Sequence, residues 1–149
     1  MVAPILRHVS ELSSFQLRDG ATNKMVSLLA PGQDGAATSI NLEIFDVDGR
    51  QNPNSHPDSA EAFYFLSGTG RAHCDGTSVP VRAGDFLVLP AGSVHFIENT
   101  GTSRLYALTT LCADDGSHDG TSRPQRALDP EDVAVLDAAR HMPVASAGE

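Results

Sequence analysis

Short apolar segments alternating with turn-forming residues run through the middle of this chain, and they limit its fold more than any other feature. The segments are rich in β-branched and aromatic residues, and several are bounded by glycine, proline, asparagine or aspartate. They predict eight strands, at residues 24–30, 39–47, 61–67, 71–75, 78–82, 85–89, 94–99 and 104–111. Strands at this spacing indicate an all-β sandwich or barrel rather than a parallel α/β sheet.

The sequence Asp75-Gly76 lies between two of these segments and predicts a two-residue hairpin. Both central residues of such a turn adopt positive φ, which aspartate and glycine tolerate. One helix is predicted, over residues 129–141, with Asp129 as its N-cap and a proline in the first helical position. It is expected to pack on the outside of the barrel, after a polar loop over residues 113–128 that contains His118.

Length and charge restrict the classes of protein and partner. A chain of 149 residues favours one domain, and a net charge of −9 disfavours nucleic acid and anionic membrane surfaces as partners. The N-terminus has no apolar signal-peptide core, and no segment approaches the roughly 20 apolar residues of a membrane span, so a cytoplasmic location is expected. Cys74 and Cys112 are too few for a disulfide framework and are predicted to be small buried residues.

Three side chains are candidates for metal binding. His56 lies in a turn-like segment, Glu61 opens one apolar segment, and His95 lies within another. Two histidines and one carboxylate form a ligand set that leaves positions open on non-haem iron. Considered singly, a histidine near a strand is more often a surface residue, and a glutamate at a strand edge is more often solvated. The residue types alone therefore leave both interpretations open.

Two segments resemble the conserved motifs of the cupin superfamily. In residues 49–68, the six-residue gap between Glu61 and Gly68 fits the first motif, and His56 lies where its second histidine is expected. Residues 84–99 match every defining position of the second motif: Gly84, Pro90, Gly92, His95 and Asn99. The resemblance implies an all-β, double-stranded β-helix (jelly-roll) barrel with one short C-terminal helix. It also implies a single cupin domain over residues 1–149, with the barrel at about residues 24–112.

The resemblance further implies one divalent metal ion on His56, Glu61 and His95. Iron(II) is favoured, and manganese, nickel, cobalt or zinc would be accepted by the same ligands. The family pattern has a further histidine two residues before His56, where this chain has Asn54. Asn54 either ligates the metal through its amide oxygen or leaves that position to water, and a three-ligand site is the preferred interpretation.

Strand alternation predicts which residues share a face with the metal ligands. It places Phe63 and Phe65 with Glu61, and Ile97 with His95, so these three apolar residues are expected to line the substrate pocket. Other side chains on the strands are expected to have different roles. Lys24 and Asn41 are expected in solvent, and contact with the substrate pocket is the alternative for each. His73 is expected to point outward from the barrel, and Tyr64 is expected to be a packing residue rather than a catalytic one.

The leading functional prediction is a metal-dependent enzyme acting on a small-molecule substrate, as an iron(II) dioxygenase or a related oxidoreductase. One alternative is a redox-neutral isomerase, cyclase, lyase or decarboxylase in which the ion acts as a Lewis acid. A second alternative is a non-catalytic module that binds a small ligand. A homodimer is expected, because single-domain cupins commonly pair through sheet edges.

Overall fold

All eight predicted strands form, and their ends lie within two residues of the predicted positions. A computed structural model describes residues 3–112, 120 and 123–137 of the chain. Its strands are β1 (Ser13–Ser14), β2 (Asn23–Leu29), β3 (Ser39–Phe45), β4 (Ala60–Ser67), β5 (Thr69–Cys74), β6 (Thr77–Arg82), β7 (Phe86–Leu89), β8 (His95–Asn99), β9 (Leu105–Cys112) and β10 (Arg126–Ala127). Its helices are a 3₁₀ turn (Val9–Glu11), α1 (Pro31–Asp34) and α2 (Pro130–Asp137).

Two antiparallel sheets form the barrel. The larger has the strand order β2-β3-β9-β4-β7, and the smaller has the order β6-β5-β8. Inward side chains from both sheets build one apolar core, which consists of Phe45, Phe63, Phe65, Ala72, Val81, Leu89, Ile97, Leu105 and Ala107. The all-β jelly-roll class that the strand pattern and the motifs predicted is therefore confirmed.

The predicted hairpin at Asp75-Gly76 joins β5 to β6. The φ angles of Asp75 and Gly76 are 47° and 79°, so both central residues lie in the left-handed region that this turn requires. Cys74 pairs directly with Thr77 across the turn. This tight turn fixes the register of the β5–β6 pair, and β5 in turn pairs with β8, which carries His95.

A second apolar cluster covers the outer face of β2, β3 and β9. Val26, Leu42, Ile44 and Tyr106 project outward from these strands and pack against residues of the 3₁₀ turn and of α2. The helix begins as predicted, because the Asp129 carboxylate accepts a 3.0 Å hydrogen bond from the backbone N–H of Asp132. Residues 138–141 of the predicted helix, and residues 113–119 (which include His118) and 121–122 of the predicted loop, lie outside the described residues.

An ion-pair cluster holds α2 to the barrel wall. Asp132 is fully buried, and its carboxylate accepts hydrogen bonds from Arg104 at 3.0 Å and from the Tyr106 hydroxyl at 3.1 Å. Burial and the neighbouring Asp132 charge raise the pKa of Tyr106. Lys24 also pairs with Asp132. The expectation that Lys24 lies in solvent was therefore wrong, since its ammonium group lies against the helix on the outside of the barrel.

Three other features differ from the sequence-based expectations. Strands β1 and β10 pair through Ser13↔Ala127 and Ser14↔Arg126, a contact for which no sequence signal was recognised. Cys112 is exposed and Cys74 is half-buried, so neither is the buried residue that was predicted. Tyr64 is 44% exposed on the outer face of β4 and does not pack as expected.

None of the helices in the described part of the chain has both the length and the apolar character that a bilayer crossing requires.

Candidate metal centre

His56, Glu61 and His95 come together inside the barrel, and all three are buried. One potential ligand atom from each residue lies within 4.8 Å of the others. The Glu61 Oε2 atom lies 2.9 Å from His95 Nε2 and 3.6 Å from His56 Nε2. Both imidazole rings therefore face the same carboxylate oxygen, and their centroids are 5.6 Å apart. The sequence-predicted ligands thus form one compact cluster.

Backbone hydrogen bonds bring the three candidate ligands into register. Glu61 lies near the start of β4 and His95 begins β8, while His56 lies on the irregular segment that precedes β4. That segment pairs with β8, because Asn54 and His95 exchange backbone hydrogen bonds of 3.0 and 2.9 Å. The N–H of Gly92, in the turn before β8, donates to the His56 carbonyl at 2.8 Å. The two histidine-bearing segments are therefore tied directly to each other.

Hydroxyl groups orient two of the candidate ligands, Glu61 and His95. Thr109 Oγ1 donates to Glu61 Oε1 at 3.1 Å, which turns Oε2 toward the imidazoles. Ser93 Oγ donates its proton to the Pro90 carbonyl at 2.7 Å and lies 3.3 Å from His95 Nδ1. Since that hydroxyl proton is already used, Ser93 accepts from the Nδ1–H of His95, and Nε2 is the nitrogen that faces Glu61.

This arrangement fits a bound divalent cation. In the neutral tautomer that Ser93 selects, the Nε2 lone pair would face a carboxylate oxygen 2.9 Å away. Two lone pairs at that distance repel each other unless a proton or a cation lies between them. A hydrogen bond donated by the ring nitrogen on the opposite side is also typical of metal-ligating histidines. The donor set, two imidazoles and one carboxylate, suits a first-row transition metal.

Asn54 lies beside this cluster in the position that the motif gives to a histidine. Its amide nitrogen donates to the backbone carbonyls of Asn52 and His95, at 3.1 and 3.3 Å. These bonds fix the side chain against β8, and Asn54 lines the same cavity as His56. Ligation of a metal by the Asn54 amide oxygen stays a prediction.

A cavity of about 180 Å³ opens beside His56. Part of its wall is apolar, from Leu17, Ala21 and Met25, and part is polar, from Asn23, Glu43 and Gln51. Arg18 is exposed and supplies a cationic side chain to the lining. The three apolar residues expected in the pocket, Phe63, Phe65 and Ile97, do face inward. They pack in the apolar core instead and are not among the residues that line this cavity.

Glu43 is a buried acid on the cavity wall that sequence reasoning missed. Gln51 Nε2 lies 3.0 Å from both of its carboxyl oxygens, and Asn23 Nδ2 donates to Oε1 at 2.6 Å. Gln51 is itself fixed, because its Oε1 accepts from the Ile97 N–H at 2.8 Å. Burial, together with the nearby Glu61 charge, raises the pKa of Glu43 to about 8, and the amide hydrogen bonds only partly oppose the shift.

This shifted pKa predicts how the stability of the metal-free protein depends on pH. The folded-state pKa of Glu43 is about 8, against 4.5 for an ordinary glutamate. Between these values the folded state retains a proton that the unfolded state has lost, so the free energy of unfolding falls as pH rises. Glu43→Gln is expected to flatten this decline and to be the more stable protein at pH 8, by up to roughly 4 kcal/mol.

Urea unfolding of the metal-free wild type and variant at pH 5, 6.5 and 8 measures this effect. Glu11→Gln, a change at an exposed carboxylate, is the control and should leave the wild-type slope unchanged. If Glu43→Gln lost stability as steeply as the wild type over this range, Glu43 would not be the group responsible.

Comparison with known proteins agrees with the fold and the motifs. The family model described as "Cupin domain" matches residues 41–111. An oxalate-binding protein of Thermotoga maritima is 38% identical over 58 residues, which cover 39% of this chain and 48% of that protein. The match thus spans about half the length of this curated relative.

Solved structures show the same architecture. A predicted oxalate decarboxylase of Thermotoga maritima superposes with a TM-score of 0.66 at 24% identity, covering 74% of this chain and 100% of that one. An oxalate oxidase in complex with glycolate superposes with a TM-score of 0.56 at 24% identity, covering 66% of this chain and 54% of that one. Residues 41–111 of the chain therefore form a cupin domain.

Proposed function

We propose that this chain is a metal-dependent enzyme that acts on a small carboxylate-bearing molecule. One observation carries the proposal: three buried ligand atoms lie within 4.8 Å of one another beside a small, partly polar cavity. His56, Glu61 and His95 would hold one divalent ion, with iron(II) favoured and manganese, nickel, cobalt or zinc accepted by the same donors. When bound, the ion would supply Lewis-acid chemistry and, for a redox-active metal, electron transfer.

The volume and the lining of the cavity support the proposal that the substrate is small and anionic. Its volume of about 180 Å³ is below the roughly 300–1,000 Å³ of pockets for drug-sized ligands, so it suits a molecule of few heavy atoms. Arg18 in the lining offers a cationic hydrogen-bond donor that suits carboxylate oxygens, whereas the amides of Asn23 and Gln51 already donate to Glu43. The curated relative named as an oxalate-binding protein supports the same class of ligand.

The residues around the centre would position this substrate and exclude water. Thr109 and Ser93 hold Glu61 and His95 in fixed orientations, so little reorganisation is needed when a ligand binds. In the metal-free protein burial raises the pKa of Glu43 to about 8, so this buried acid beside the cavity is suited to hold a proton near the substrate. We propose that Phe63, Phe65 and Ile97 form the dry floor of the site below the cavity.

We favour an oxidoreductase of the dioxygenase type, because a 2-His-1-carboxylate set leaves room at the metal for both substrate and dioxygen. The second candidate is a redox-neutral decarboxylase. It is favoured by the fold that this chain shares with the predicted oxalate decarboxylase. The test is to incubate iron(II)-loaded and manganese(II)-loaded protein with oxalate and to follow oxygen and oxalate together. Oxygen consumed in proportion to oxalate supports the oxidative function.

The other outcomes of this experiment are equally informative. Oxalate loss under strict anaerobiosis, with formate as product, would contradict the oxygen-dependent proposal and favour decarboxylation. Oxalate binding without any loss would favour a non-catalytic binding protein. Glu61→Gln is the matched control, since it keeps the size of the side chain and removes its charge.

A cytoplasmic location and a homodimer also belong to this proposal. Strand β7 is an edge strand of the larger sheet, and Phe86 and Val88 on its outer face are exposed. Tyr64, also exposed, lies directly opposite Phe86 on β4. A second copy of the chain would cover this apolar surface.

A further inference from the structure

The inward face of β3 carries a row of buried polar side chains inside the barrel: Ser39, Asn41 and Glu43. Each is at most 2% exposed. The alternate residues Leu42 and Ile44 belong to the outer cluster under α2, which places the polar row on the inner face. Glu43 lines the cavity, and Asn41 is the next residue along the same face. The expectation that Asn41 lies in solvent was therefore wrong.

Asn41 is unusual because its polar atoms have no partner within the described part of the chain. Neither Oδ1 nor Nδ2 makes a hydrogen bond, and the Oγ atom of Ser39 is in the same condition. Asn99, an equally buried asparagine, donates to three carbonyls and accepts from the Gly101 N–H. Buried polar groups are nearly always paired, so an unpaired amide in a barrel interior indicates a missing occupant.

The position of Asn41 relates this amide to the metal centre. In the β3–β9 register Asn41 lies directly opposite Thr109, and both side chains are fully buried. Directly opposed side chains on one face of an antiparallel pair are close neighbours. Thr109 in turn donates to the Glu61 carboxylate. Thr109 therefore links the unpaired Asn41 amide to Glu61, a proposed metal ligand, and Glu43 on the same face links it to the cavity wall.

We infer that Asn41 binds the substrate, with its Nδ2 donating to a carboxylate oxygen and its Oδ1 accepting from a hydroxyl or acid proton of the same molecule. The inference rests on the proposed function and specifies its substrate class. One amide satisfies both requirements of a ligand that carries an acceptor beside a donor. An α-hydroxy acid has this pairing, and so does a dicarboxylate such as oxalate when it takes up one proton on binding, whereas a simple hydrocarbon or an amine does not.

This role predicts opposite effects on stability and on binding. Asn41→Leu keeps a similar volume and removes two unpaired polar atoms, so the metal-free variant should melt higher than the wild type, by roughly 2–4 °C or more. In the manganese(II)-loaded protein, the same change should weaken oxalate binding at least about tenfold, because a buried ligand oxygen loses its donor. Asn41→Ala, which adds no bulk, should weaken oxalate binding similarly.

Asn99→Leu is the matched control for stability. It removes an amide that is fully hydrogen-bonded, so its melting temperature should fall steeply. Calorimetric melting of the metal-free proteins, titration with oxalate and electron paramagnetic resonance of bound manganese(II) are measured side by side. Manganese(II) occupancy should be the same in the wild type, Asn41→Leu and Asn41→Ala.

The outcomes separate this inference from the proposed function. Failure of the manganese(II)-loaded wild type to bind oxalate would overturn the proposed function, and the carboxylate assignment with it. Wild-type binding that both Asn41 variants retain within about twofold would overturn the inference alone. A lower melting temperature for Asn41→Leu with unchanged oxalate affinity would also overturn it, since Asn41 would then have a structural partner in the free protein.

Discussion

Replacing Glu61 with glutamine is expected to lower the affinity of the chain for manganese(II) or iron(II) by more than roughly 100-fold, because even partners of metal ligands are worth about 10–100-fold. The carboxylate is the only charged member of the three-residue cluster, and its Oε2 atom faces both imidazoles. Glutamine has the same shape and can still accept from Thr109, so the fold should be preserved. The loss should therefore appear in metal affinity rather than in structure.

The measurement is metal titration with a competing chelator, alongside melting of the metal-free protein. Thr109→Val is the graded control, because it removes the hydroxyl that orients Glu61 and leaves all three ligands in place. It should cost about 10–100-fold in metal affinity. Metal affinity of Glu61→Gln within about tenfold of the wild type would mean that this cluster is not the metal site.

Replacing Asp132 with alanine is expected to cost at least about 2 kcal/mol of folding free energy, because a buried hydrogen bond to a charged group is worth about 1.5–3 kcal/mol. Asp132 is fully buried where α2 meets the barrel wall. Its removal leaves Arg104 and Lys24 without this partner and the Tyr106 hydroxyl without its acceptor. Arg104 and Lys24 keep Asp129 as an ion-pair partner, so the largest single loss is the acceptor of the buried Tyr106 hydroxyl.

Urea unfolding gives this value, and Glu131→Ala is the matched control. Glu131 is the preceding residue on the same helix but is exposed, so its replacement should change stability by no more than about 0.5 kcal/mol. Metal affinity of the folded Asp132→Ala protein should equal that of the wild type, since the ion-pair cluster lies outside the barrel. A loss below about 1 kcal/mol for Asp132→Ala would contradict this account of how α2 is held.

The strands and the clustering of His56, Glu61 and His95 were predictable because they depend on local signals. Asp75-Gly76 determines a hairpin through the φ angles of its two residues, and the structure has both angles positive. Residues 84–99 combine a turn at Pro90–Gly92 with a strand that returns His95 to the interior. The six-residue gap between Glu61 and Gly68 resembled the first cupin motif, which indicated a place for Glu61 in the site. The structure brings His95, Glu61 and His56 together at the positions that the motifs indicated.

The polar wall of the site was not predictable, because β3 is buried on both faces. Six of its seven residues are buried, since α2 and the 3₁₀ turn cover its outside while the barrel encloses its inside. Alternation of polar and apolar residues identifies the inner face only where the other face meets water. Asn41 and Glu43 therefore gave no signal for their direction, although both lie inside the barrel.

The cavity wall was also missed because non-local contacts create it. Leu17 and Ala21 line the cavity from the segment between β1 and β2, and β1 is held by pairing with β10. The hydrogen bond from Ser14 to Arg126 spans 112 residues of the sequence. No local pattern encodes such a contact. The aromatic residues Phe63 and Phe65 have the predicted direction but fill the core, since direction alone does not determine how far a cavity extends.

The metal content of the protein, purified without a metal-affinity step, tests the central claim most directly. Elemental analysis of the wild type is expected to give about one equivalent of a first-row transition metal per chain, directly or after reconstitution with iron(II) or manganese(II). The Glu61→Gln protein prepared in parallel should give little. Less than about a tenth of an equivalent in the wild type, with no gain on reconstitution, would contradict a metal centre at His56, Glu61 and His95.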